Sequence, residues 1–286
     1  MDTHEHGLQQ DLEAMARQAA RRKALGWLGA LGVASTVPLV ACGGGGSSSD
    51  SATSSSDSSS SDSSSGSSSS SSSCSVIPEE TAGPYPGDGS NTASGSVVNA
   101  LTLSGIVRSD ITSSIGSASG TATGVPLTLV LTLKNASCTT LEGYAVYLWH
   151  CTSNGNYSLY SSGYTDQNYL RGVQATDASG QVTFETIFPG CYSGRMPHMH
   201  FEIYRSLTTA TSYSNKLATS QLAFPRDICE HVYDNASGYG NSASNLSQIS
   251  FATDNIFSDG YTLEMTSLTG DLTNGYTATI TVSISV

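Results

Sequence analysis

His198 and His200 are separated by one residue in the run "MPHMHFEIY". The run is rich in residues that suit a pleated strand, and strand side chains alternate between faces. The two imidazoles therefore share a face and can bind one metal ion. Taken alone, the pair also fits two polar residues on a solvated face, and it leaves the metal open. Tyr192 lies six residues before His198, after a Pro-Gly turn, and Tyr157 closes a Gly-Asn-Tyr turn beyond a run ending at Trp149 and His150.

Other folds that use His-x-His fit poorly. A cupin needs a Glu a few residues on and a third His, but Tyr204 and Arg205 stand there. A copper–zinc dismutase-like sandwich needs more histidines than His150 and His231 supply. The remaining donors must be of another kind, and tyrosinate is a hard anionic oxygen. Two phenolates, two imidazoles and a hydroxide place three negative charges around the ion, which neutralises Fe³⁺ and overcompensates Zn²⁺ or Cu²⁺. That balance selects ferric iron if both tyrosines bind. With 14 Tyr in the chain, it does not by itself say which ones do, and sandwiches also bury a corner Tyr for structure alone.

The elements that must carry these residues are strands. Short apolar runs at 101–107, 125–133, 144–150, 181–187, 199–204, 261–268 and 276–285 are dominated by Thr, Val, Ile and Tyr, with turn clusters such as "DASG" between them. No stretch after residue 74 shows sustained helical periodicity. The expectation is an all-β antiparallel sandwich with long loops, one domain over 74–286.

Two different segments precede that domain. Residues 1–42 carry Arg21 and Arg22, an apolar run from Ala24 to Ala41, and the lipobox-like "LVAC" ending at Cys42. This reads as a twin-arginine, lipoprotein-type signal with Cys42 as the lipidation site. Residues 43–73 are nearly all Ser, Gly and Asp. They have nothing apolar to bury and read as a disordered tether with a reach of roughly 30 Å. The implied location is outside the cytoplasm, at the cell envelope, lipid-anchored to a membrane. The net charge of −12 argues against nucleic acid as a partner, since phosphates need clustered cations. The domain holds Cys74, Cys138, Cys151, Cys191 and Cys229; five is odd, so at least one is free or pairs between chains.

Several ordered motifs carry a resemblance. "CSVIPEETAGPYP", "YLWHCTSNGNYS", "YLRGVQATDASGQVTFETIFPG", "CYSGRMPHMHF" and "ATSQLAFPRDICEHVY" together resemble the intradiol ring-cleavage dioxygenases, the family of catechol and protocatechuate 3,4-dioxygenases, and are most similar to exported single-chain members. The resemblance implies an Fe(III) cofactor with Tyr157 and His200 as equatorial ligands and Tyr192 and His198 as axial ones. Tyr192 would leave when a catechol chelates the metal. Arg195 would stabilise charge on the ring, Gln221 would support the site, and Tyr85 would approach the substrate. The implied reaction joins a small catecholic substrate to both atoms of O₂ and yields a cis,cis-muconate-type diacid, and the family often forms homo-oligomers. Two departures bear on pocket shape: "HCTSNG" lacks the family's usual acidic residue after His-Cys, and Cys191 stands where a bulky residue often precedes the tyrosine. The competing reading is an inactive envelope binding module for aromatic or carbohydrate ligands on the same sandwich.

Overall fold

The computed structural model describes residues 73–286. The signal and tether expectations, Cys42 included, lie outside those residues. Among the described residues no helix is long and apolar enough to cross a membrane.

The core begins with β3 (Pro126–Asn135), whose sequence alternates Leu with Thr or Val. Leu127, Leu129, Leu131 and Leu133 all turn inward and are buried. β6 (Gln181–Ile187) pairs antiparallel to it, with Leu129 opposite Phe184. β10 (Gly275–Ile284) lies on its other side, and β9 (Ser267–Asp271) closes the sheet as a hairpin on β10. The strand order is β6-β3-β10-β9. A second sheet runs β5-β4-β7-β8, built from β4 (Ala145–Trp149), β5 (Arg171–Ala175), β7 (His198–Tyr204) and β8 (Lys216–Ala223). Val146, Leu148, Met199, Phe201, Ile203 and Leu222 of this sheet join the β3 leucines in one apolar core.

The second sheet is unusual in being dry on both faces. All seven residues of β7 are buried. Its outer face is covered by the segment running up to β1 (Asp88–Ala93) and β2 (Ser96–Asn99), a small hairpin. That segment is strapped to the sheet by its backbone. Glu80 N donates to Thr219 O (2.8 Å), Ser220 Oγ to Pro78 O (2.7 Å) and Gln221 Nε2 to Thr81 O (2.9 Å). Arg171 reaches it with Nη1 on Pro86 O and Nη2 on Tyr85 O.

Four expectations need correction. The domain is not all-β: α1 (Arg226–Asn235) and α2 (Gly240–Leu246) follow β8. α1 buries only Cys229, Val232 and Tyr233, a stripe of one turn that is too short to register as a helical period. Nor is the sandwich wholly antiparallel, since β10 runs parallel to β3 from Tyr276↔Leu127 to Ile284↔Asn135. The long connection between them allows that pairing, which no hairpin can make. The strand expected at 101–107 is instead a 3-10 turn capped by the Asn99 side chain. It presents Leu101 and Ile106 to the outer face of the second sheet. The run at 261–268 is mostly turn, with the strand beginning at Ser267.

Cys74 and Cys138 form a disulfide across 64 residues of sequence. Cys151, Cys191 and Cys229 are free and buried. A loop that long removes about 4 kcal/mol of unfolded-chain entropy. Replacing both Cys74 and Cys138 by Ser is therefore expected to lower the melting temperature by roughly 8–16 °C, read by calorimetry.

Glu264 is fully buried, and neither carboxyl oxygen has a hydrogen-bond partner. Burial, then Glu80 and Asp259, push it up to about 9. The protonated form is therefore the one the fold accepts. Its contribution to stability is complete below its ordinary value and is lost as pH rises towards about 9. In urea titrations at pH 6 and pH 9, wild type should lose more stability across the interval than Glu264→Gln; equal losses would show that the group does not titrate there.

Candidate metal centre

The outer face of β7 presents His198, His200, Glu202 and Tyr204 in turn, because its odd-numbered partners Met199, Phe201 and Ile203 fill the core. Register then brings the neighbours. Trp149 of β4 sits opposite His200 and stacks on it, ring centroids 5.0 Å apart and planes 4° from parallel. Gln221 of β8 sits opposite His200 on the other side. Gly83 of the covering strap closes over the ring. It has φ +68°, which favours glycine, and a Cβ there would stand 3.2 Å from His200 Cε1, close enough to press on the ring.

The donor atoms converge. His198 Nδ1 lies 2.6 Å from Met196 O. A carbonyl only accepts, so Nδ1 carries the proton and Nε2 offers its lone pair. Around that lone pair stand Tyr192 Oη at 3.1 Å, His200 Nε2 at 3.1 Å and Arg195 Nη1 at 3.5 Å. Tyr157 Oη is buried without a hydrogen-bond partner, and its ring meets Tyr192 edge-on at 5.7 Å. Tyr85 packs on the other side of Tyr157 at 4.9 Å.

Electrostatics set the protonation states. Burial, with Arg195 nearby, holds both imidazoles well below their usual value; for His200 the His198 ring adds to this. Both are neutral at pH 7. Burial pushes Tyr192 up to about 12 and Tyr157 well above the ordinary phenol. Burial also opposes the charge on Arg195, but Tyr192, Asp254 and Tyr157 outweigh it and keep the group cationic. Two neutral imidazoles with facing nitrogens and two phenols, one of them unpartnered, form a set that a cation would complete. Among the described residues no three His, Cys, Asp or Glu side chains form a ligand group, so a cation here would need the phenols. His150 takes no part, since its nitrogens face Cys151 O and Thr186 Oγ1 at 2.8 and 2.7 Å.

Loops carry the two tyrosines. Tyr157 follows the Thr152–Asn156 turn, in which Gly155 (φ +81°) packs against Tyr192; a Cβ there would meet Tyr192 Cβ at 3.0 Å. The Tyr192 loop is buttressed by the helices. Ser242 Oγ accepts from Cys191 N, Asn245 Nδ2 donates to Cys191 O, and Tyr233 Oη donates to Pro189 O. Cys191 thus fills core space beneath the site.

The structure brings Tyr85, Tyr157, Tyr192, Arg195, His198, His200 and Gln221 together. Gln221 joins the strap to the site, donating to Thr81 O and accepting from Arg195 Nη2 at 2.6 Å. Sequence reasoning missed Trp149, Gly83 and Asp254. Trp149 is visible once strand register is known. Asp254 stands 59 residues from Arg195, in a segment with no periodic signal.

Comparison with known proteins bears on the family and the fold. Residues 108–262, over half the chain, match the family model described as Dioxygenase. Chlorocatechol 1,2-dioxygenase of Rhodococcus opacus is 30% identical over 101 residues, 27% of this chain. That match spans only 39% of the relative's length. An intradiol ring-cleavage dioxygenase from Tetranychus urticae superposes with a TM-score of 0.54 at 24% identity, covering 74% of this chain and 95% of its own. A second dioxygenase crystal structure gives 0.53 with the same identity and coverage. The family model, together with a shared sandwich fold and a buried His and Tyr cluster on the outer face of β7, leads to one assignment: the chain belongs to the intradiol ring-cleavage dioxygenase family.

Proposed function

We propose that this protein is a non-haem Fe(III) intradiol dioxygenase that opens catechol-type rings with O₂ to cis,cis-muconate-type diacids. The observation that carries this reading is the convergence of Tyr192 Oη, His198 Nε2, His200 Nε2 and Arg195 Nη1, with the unpartnered Tyr157 Oη beside them. Tyr157, Tyr192, His198 and His200 would hold the ion. When bound, iron(III) supplies the Lewis acidity that takes a catechol as its dianion and makes the ring reactive toward O₂.

The protein's own residues supply the rest. Tyr157 is enclosed by Tyr85 and stays. Tyr192 is the less enclosed of the two, so it would be the ligand to leave. A phenol whose proton is held up to about 12 gives a basic phenolate, and that phenolate would take one of the catechol's two hydroxyl protons, the second going to the hydroxide of the charge balance. Arg195 turns Nη1 towards the same point and stabilises negative charge spread over the ring. Burial of the face excludes water, which strengthens each of these interactions.

Export and membrane tethering are part of the same proposal. Arg21–Arg22, the apolar run ending at Cys42 and the Ser-rich stretch after it support a lipid-anchored protein held off a membrane. A reaction that needs O₂ and no external reductant suits that location.

Iron-loaded protein should be red from tyrosinate-to-iron charge transfer, and catechol should shift the band. Tyr157→Phe and Tyr192→Phe should each alter it. Arg195→Gln should keep the colour and lose roughly 10²–10³-fold in kcat. Colourless, iron-free protein after iron supplementation would overturn the reading. Coloured protein that consumes no O₂ with catechol, protocatechuate or hydroxyquinol would favour a binding module.

A further inference from the structure

Arg195 and His198 depend on one buried carboxylate that lies far away in sequence. Asp254 is fully buried. Both of its oxygens accept from Arg195 Nε at 3.0 Å. Oδ2 also accepts from Met196 N at 2.6 Å, and Oδ1 from Ile256 N and Phe257 N at 2.8 and 3.2 Å. The last two bonds fix the carboxylate to its own loop, so its position is set independently of the site.

From that fixed point two arms run inward. The first is the guanidinium. Its Nε edge is held by Asp254 and its Nη2 by Gln221. Nη1 is left facing His198 Nε2 at 3.5 Å, and Phe257 lies under the cation at 5.4 Å. The second arm is the Met196 backbone. Asp254 holds its N–H, and the residue's carbonyl accepts the His198 Nδ1 proton at 2.6 Å. This bond fixes which imidazole nitrogen carries the lone pair.

We propose that Asp254 is the positioning residue of this site: it aims Arg195 Nη1 at the substrate and, through Met196, selects the His198 tautomer whose Nε2 faces the metal. The proposal rests on the dioxygenase reading for its meaning in turnover, but the tautomer arm stands without it.

The test compares Asp254→Asn, Arg195→Gln and the double variant in the iron-loaded protein, and adds nitrogen NMR of the histidines in the metal-free protein. Asp254→Asn should lose roughly tenfold or more in kcat with a smaller change in KM. The double variant should lose clearly less than the product of the two single losses, because the first arm acts through Arg195. Its charge-transfer band should still differ from that of Arg195→Gln, because the second arm does not. In metal-free wild type His198 should be protonated at Nδ1, and in Asp254→Asn it should be a mixture. Losses that multiply in the double variant would overturn the proposal, as would an unchanged tautomer in Asp254→Asn. Should Asp254→Asn fail to fold, Asp254→Glu keeps the charge and moves the Met196 contact. It should retain Arg195-dependent turnover with a shifted band, and a wild-type band with wild-type kcat would overturn the proposal. A colourless wild type would count against the dioxygenase reading and leave the NMR result to decide on Asp254.

Discussion

A strand that turns His198 and His200 to one side must turn Met199, Phe201 and Ile203 to the other. The apolar side is claimed by the leucines of β3, so the other side must be covered by something else. Left open to water, that face would be an ordinary wet sheet surface and a poor place to hold neutral imidazoles in fixed tautomers. The N-terminal strap closes it. Its carbonyls at Pro78, Thr81, Tyr85 and Pro86 accept from Ser220, Gln221 and Arg171, so the cover is held by the polar groups it buries. The buried cations are likewise held by oxygens, one charged partner for Arg195 and neutral ones for Arg171. Arg195 rests on Asp254, and Arg171 on four strap and loop oxygens besides Tyr147 Oη. Stripped of those oxygens, either buried cation would cost several kcal/mol.

The two tyrosines differ in how they are held, and that difference matters chemically. Tyr157 lies between Tyr85, Tyr192 and the sheet and is almost fully buried. Tyr192 is partly exposed, and its loop is fixed from below, where Ser242 and Asn245 grip the Cys191 backbone. The helical segment therefore steadies the backbone while leaving the phenol room to move. α1 and α2 are short because they need to fill only the space beneath that loop.

Much of the site could be read from the sequence because its residues cluster in a few contiguous motifs. That the His-x-His pair shares a face follows from strand geometry alone, and β3, β4, β6, β7 and β10 were legible as short runs of β-favouring residues between turn signals. The tyrosines required the motif resemblance, since nothing in a Tyr's own neighbourhood distinguishes a ligand from a corner residue. The helices escaped because a three-residue buried stripe is no longer than a chance pattern. The Leu101–Val107 run was misread because its apolar residues anchor a turn to the second sheet, and burial alone does not distinguish an anchor from a strand. Asp254 was invisible because its partners, Arg195 and Met196, meet it only after the chain has passed through β7, β8 and both helices.

The most direct measurement is anomalous diffraction at the iron absorption edge on crystals of the iron-loaded protein. A single peak within bonding distance of Tyr157 Oη, Tyr192 Oη, His198 Nε2 and His200 Nε2 is the predicted result. Iron bound elsewhere, or a peak that leaves either tyrosine unbound in the resting protein, would contradict it.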